Sequence, residues 1–90
     1  MISDSKLDSF SKEVLRYTTN DDLNDKSLLS ASLLSFGLIS NYQPKNSPHD
    51  DVYALILQIN TYRTIQIYFS TTKVLTRMWY NGDSYPSRWY

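Results

Sequence analysis

The single histidine, His49, stands beside Asp50 and Asp51. An imidazole and two carboxylates are donors that a divalent metal accepts, or a general base with an orienting acid. Three consecutive side chains between Pro48 and a following strand rarely converge on one ion, so His49-Asp50-Asp51 reads as a solvated loop. Asn20, Asp22 and Asn24 have the alternating oxygens that open a calcium loop. Asp25 then stands where that loop needs glycine, and Ala31 where it needs a bidentate glutamate. Thiol chemistry is excluded, because the chain has no cysteine. Serines are plentiful, but no Gly-x-Ser-x-Gly elbow occurs and His49 is the only imidazole base. The expectation is a non-enzymatic protein with no cofactor and no metal.

The remaining chemistry is aromatic and basic. Arg63, Lys73, Arg77 and Arg88 interleave with Tyr and Trp, which is the composition of a single-stranded nucleic-acid platform. Four cations across that stretch make a sparse patch, and the formal net charge of the chain is zero. Nucleic acid is therefore the weaker expectation. Trp79, Tyr80, Tyr85, Trp89 and Tyr90 form the densest aromatic cluster. Aromatic faces beside polar groups stack on sugar rings and bond their hydroxyls. Candidate glycan or receptor contacts are Trp79, Tyr85 and Asp83, with Arg77 orienting an acidic group or hydroxyl. The competing role, closing a small core or a subunit interface, applies above all to Trp79 and Trp89.

Ninety residues allow one domain, and 41% hydrophobic with 20% charged residues suits a folded chain. The first 51 residues carry five basic and eight acidic side chains, and the rest four basic and one acidic. The longest apolar run, Val52–Leu57, falls far short of the ~20 residues of a membrane helix, so no membrane is expected. Met1-Ile2-Ser3-Asp4 lacks the basic start of a secretory signal, and no leader is expected.

Leu7, Phe10, Val14 and Tyr17 share one stripe of a 3.6-residue period and predict a short helix over residues 4–17. Residues 27–36 fit helix or strand. Gly37 is a natural stop or bend, and the segment from Asn41 to Asp51, with Pro44 and Pro48, reads as a loop. Strands are expected at Val52–Ile59, Thr64–Phe69 and Lys73–Tyr80, each with period-two alternation or a continuous apolar run. Asn81-Gly82 suits a type I′ turn, after which Tyr85–Tyr90 returns against the preceding strand. The predicted fold is mainly β: a small antiparallel meander or sandwich at 20–90, with an N-terminal helical arm or collar at 1–19.

Such a sheet has more apolar surface than one short helix can cover. The helix stripe shields one face. The other carries Val52, Ala54 and Ile56, besides either Leu75 and Trp79 or Val74 and Met78 according to register. Closed rotational symmetry buries such a face, with the stripes of Leu7, Phe10, Val14 and Tyr17 meeting at the axis. Self-association is expected.

One ordered set of short motifs remains. Asp22-Leu23-Asn24-Asp25 is followed by Gly37, Asn46-Ser47-Pro48 and the apolar strand Tyr53–Leu57. Then come Ile65-Gln66-Ile67-Tyr68-Phe69, Val74-x-Thr76-Arg77, Tyr80-Asn81-Gly82 and a closing Trp89. From residue 20 onward this order resembles the knob domain of phage tail fibres and pyocin fibres. Leu38-Ile39 stands where that family usually has an aromatic, and Tyr85 replaces the first tryptophan of its closing pair. The resemblance implies a virion fibre or appendage module, made in the host cytoplasm and carried on the tail or head, that helps a phage attach to its host. It implies a homotrimer among other virion proteins, with a host cell-surface glycan or wall polymer as receptor. The alternative within this class is a purely architectural head fibre, plug or capsid decoration.

Overall fold

The computed structural model describes residues 14–80 and 82–90. These form one five-stranded mixed sheet: β1 (Leu15–Arg16), β2 (Leu34–Ser40), β3 (Tyr53–Asn60), β4 (Thr64–Ser70) and β5 (Val74–Trp79). The strands lie in sequence order. β2 to β5 are antiparallel neighbours and β1 runs parallel to β2, with Leu15 beside Gly37. The meander follows from period-two sequence broken by short polar connections at 61–63 and 71–73.

Three expectations change. Leu7 and Phe10 of the proposed helix lie outside the described residues, while Val14 and Tyr17 sit on non-helical chain. Leu15 and Arg16 are committed to β1, and the Tyr17 N–H donates to Leu38 O at 2.9 Å, so the backbone here serves the sheet. The sheet therefore begins inside the segment expected as an arm. The ambiguous stretch resolves into a single 3₁₀ turn at Lys26–Leu29, with the Asp25 side chain accepting from the Ser27 N–H, and then β2.

The two faces of the sheet differ sharply. The inner face carries Gly37, Ile39, Ala54, Ile56, Gln58, Gln66, Tyr68, Arg77 and Trp79, all buried. Loop residues Leu23 and Leu29 complete its core with Tyr17, and Leu28, Leu75 and Trp89 pack against it. A coiled covering segment, rather than a second sheet, thus closes this face. The outer face presents registered apolar rows: Leu34–Ile59–Ile65–Met78, Phe36–Leu57–Ile67 and Leu38–Leu55–Phe69–Val74. No described element packs on these rows, and Val74 is 61% exposed. Ala54, Ile56, Leu75 and Trp79, offered above as open-face residues, belong to the covered side. Val74 and Met78 are the ones left open.

After β5 the Asp83 N–H donates to Tyr80 O at 3.0 Å, and Gly82 takes φ +87°. Asn81 lies outside the described residues. The chain returns along β5: Thr76 and Tyr90 exchange backbone bonds of 2.7 and 2.8 Å, and the Ser87 N–H donates to Met78 O at 2.7 Å. Regular pairing is interrupted because Pro86 has no N–H and Ser87 Oγ accepts from the Met78 N–H at 3.0 Å.

Candidate functional site

A polar ladder crosses the apolar inner face. Gln58 on β3, Gln66 on β4 and Arg77 on β5 are direct register partners, and all three are buried. Burying such groups costs free energy unless each finds a partner. Arg77 Nε donates to Gln66 Oε1 at 2.9 Å, and Gln66 Nε2 donates to Gln58 Oε1 at 2.8 Å and to Leu23 O at 3.0 Å. Gln58 Nε2 continues to Lys26 O at 2.7 Å and Asn60 Oδ1 at 2.9 Å. The ladder therefore does the work of a clasp, tying the covering segment from Leu23 to Leu29 onto the sheet.

Arg77 is the hub of this network. Its Nη1 donates to Asn24 Oδ1 at 2.8 Å. Its guanidinium carbon lies 4.3 Å from the Trp89 ring centroid and 5.0 Å from that of Trp79, so two indoles flank the cation. Its Nη2 is buried and finds no hydrogen-bond partner among the described residues. Burial lowers the guanidinium to about 10, against the opposing fields of Asp22 and Tyr17, so it stays charged at neutral pH. Burial tends to raise the Asp22 carboxyl, but bonds from Asn46 and the Asn24 N–H, with Lys45 and Arg77 nearby, bring it below its usual value.

A cleft of about 460 Å³ opens beside Arg77, bordered by Asn24, Asn46, Tyr85, Arg88 and Trp89. The Asn46 side is held by backbone pairing of Leu23 N–H with Lys45 O and Lys45 N–H with Asp21 O. Trp89 closes the other side through Nε1–H to Asn46 O at 3.3 Å and an edge contact with Tyr68 at 6.1 Å.

The four candidate contact residues separate. Arg77 and Tyr85 border this one cleft, whereas Trp79 and Asp83 do not. Trp79 is only 1% exposed, with Arg77 against one ring and Lys26 Nζ 5.7 Å from its centroid, so it offers no face to a surface ligand. Tyr85 is 76% exposed. Leu7 and Phe10, placed at an interface by the helical reading, lie outside the described residues.

The His49 loop builds a latch. Asp51 accepts from Tyr68 Oη at 2.8 Å and from Thr72 Oγ1 at 3.1 Å, and His49 Nδ1 lies 3.1 Å from its Oδ2. The neighbouring Ser70 hydroxyl, hydrogen bonds from Tyr68 and Thr72, and the His49 charge bring the Asp51 carboxyl down to about 2 although desolvation opposes them. Burial and Asp51 raise the Tyr68 hydroxyl above its ordinary range. Among the described residues no cluster of three metal-type side chains forms. Gln58 and Gln66 stand on the less apolar alternation of β3 and β4, so period-two pattern points them outward, and only their burial beneath the covering segment reveals the ladder. Compared with known proteins, the chain matches no family model, no curated protein and no solved structure.

Proposed function

We propose that this chain is a non-enzymatic module of a bacteriophage virion appendage, a tail fibre or related receptor-binding structural protein that contributes to host attachment. One observation supports the reading above others. Three residues of the motifs that carry the knob-domain resemblance, Asn24, Gln66 and Trp89, meet around Arg77, itself part of one of those motifs. Asn46, which borders the cleft, donates to Asp22 of another of these motifs at 2.7 Å. A shared order of short motifs gains weight when those motifs complete one network.

The outer face supports use in several copies, three as the resemblance implies. Burying several hundred Å² of apolar surface contributes roughly 25 cal/mol per Å², and a stable interface takes roughly 800 Å² from each partner. Light scattering during size-exclusion chromatography is expected to give about three times the 10.5 kDa chain mass. Binding to host cells or wall glycans, run beside short oligonucleotides, tests the attachment role. Oligonucleotide binding without cell binding overturns it. Self-association with neither activity favours the purely architectural virion component.

A further inference from the structure

We propose that the cleft beside Arg77 binds the carboxylate of an acidic sugar, an inference that rests on the host-glycan reading and names the chemical class of its ligand. Arg77 is 3% exposed and charged, yet among the described residues no carboxylate forms an ion pair with it. Asp22, whose field reaches it, is already engaged by Asn46 Nδ2 at 2.7 Å and the Asn24 N–H at 2.8 Å. Two of the three guanidinium nitrogens are bonded to Gln66 and Asn24, and Nη2 has no acceptor among the described residues. A buried unpaired donor on a charged group is costly, and an isolated buried charge is normally paired. A water satisfies the donor alone. A carboxylate satisfies it and brings the missing countercharge.

The border of the cleft selects the rest of the ligand. Arg88 adds a second cation and Tyr85 an exposed ring, the pairing that suits an acidic pyranose. A neutral sugar supplies no charge, and a phosphate asks for more donors than one guanidinium nitrogen and one exposed arginine. Nη2 has almost no accessible surface, so the carboxylate reaches it by displacing the closing segment. Between the turn at Asp83 and Tyr90 that segment's hydrogen bonds to β5 are those of Ser87, and Trp89 adds its stacking on Arg77.

The test uses the full chain labelled with ¹⁵N, titrated with glucuronate, glucose and inorganic phosphate. Glucuronate is expected to shift the Arg77 Nε and Trp89 Nε1 signals saturably, while glucose leaves them in place. Arg88→Gln and Tyr85→Ala, both at exposed positions, are each expected to weaken glucuronate about fivefold without changing the melting temperature. They carry the test because Arg77→Lys removes the hub of the fold. No shift with glucuronate, or an equal shift with glucose, overturns the site, and a stronger response to phosphate overturns the carboxylate assignment. Cell adhesion without any glucuronate response refutes this site and leaves the appendage reading. A glucuronate response without cell adhesion does the reverse.

Discussion

The ring of Tyr17 lies across Gly37, where a Cβ would strike Cε2 and come within 2.9 Å of Cζ. This close approach lets β1 pair with β2 while Tyr17, 3% exposed, enters the core. Gly37→Ala is therefore expected to destabilise by about 1–3 kcal/mol through overpacking. Urea melts of Gly37→Ala in the native and Tyr17→Leu backgrounds check the cause. An equal cost in both backgrounds refutes the contact as its source.

Trp89 holds the Arg77 cation on one side and Tyr68 at its edge. Trp89→Ala is expected to cost about 3 kcal/mol, near the lower end for aromatic truncation because the side chain is partly exposed. Trp89→Leu keeps apolar bulk and loses the cation–π term of about 1 kcal/mol. Thermal denaturation should rank native above Leu above Ala. A native melting temperature for the alanine variant removes Trp89 from the core.

Gly82 takes φ +87° with open space around a notional Cβ, so any cost of substitution arises in the backbone. Gly82→Val should lose about 1–2 kcal/mol by forcing a branched side chain into the left-handed region. An unchanged melting temperature argues against the turn.

Asp51 makes stability depend on pH. Its carboxyl falls from 3.8 unfolded to about 2 folded, so the folded state prefers the ionised form. That contribution is present above the unfolded value and is lost as the pH falls toward the folded one. Asp51→Asn should lower the melting temperature at neutral pH and flatten its fall between pH 4 and 2. Parallel acid limbs for the two proteins exclude this latch as their source.

Phe69 and Val74 are register partners on the outer face, and both are exposed. Phe69→Glu is expected to reduce the solution mass to that of one 10.5 kDa chain while preserving the circular dichroism of the sheet. An assembly that survives the charge does not use this face.

Local chemistry made much of the meander legible. Period-two alternation places β4 and β5 within a residue or two of their observed ends, and β3 starts at Tyr53 beside the expected Val52. The turn after Tyr80 follows from the freedom of Gly82 to adopt positive φ. Val14 and Tyr17 misled because their three-residue separation satisfies a helical stripe, while β1 exists only through partners on β2 that lie twenty-two residues on.

The polarity of the candidate site depended on still longer-range pairing. Val74, Thr76 and Met78 on one side of β5, and Leu75, Arg77 and Trp79 on the other, are too similar in hydrophobicity for alternation to choose the buried face. Register with Gln66 and the covering Asn24 choose it, turning Arg77 and Trp79 inward. By itself the sequence determined strands, the glycine turn and the absence of thiol chemistry, because these rest on local conformational preference and residue type. Only the tertiary structure decided that a glycan-like aromatic cluster splits between core and cleft, because burial depends on what the rest of the chain lays over each face.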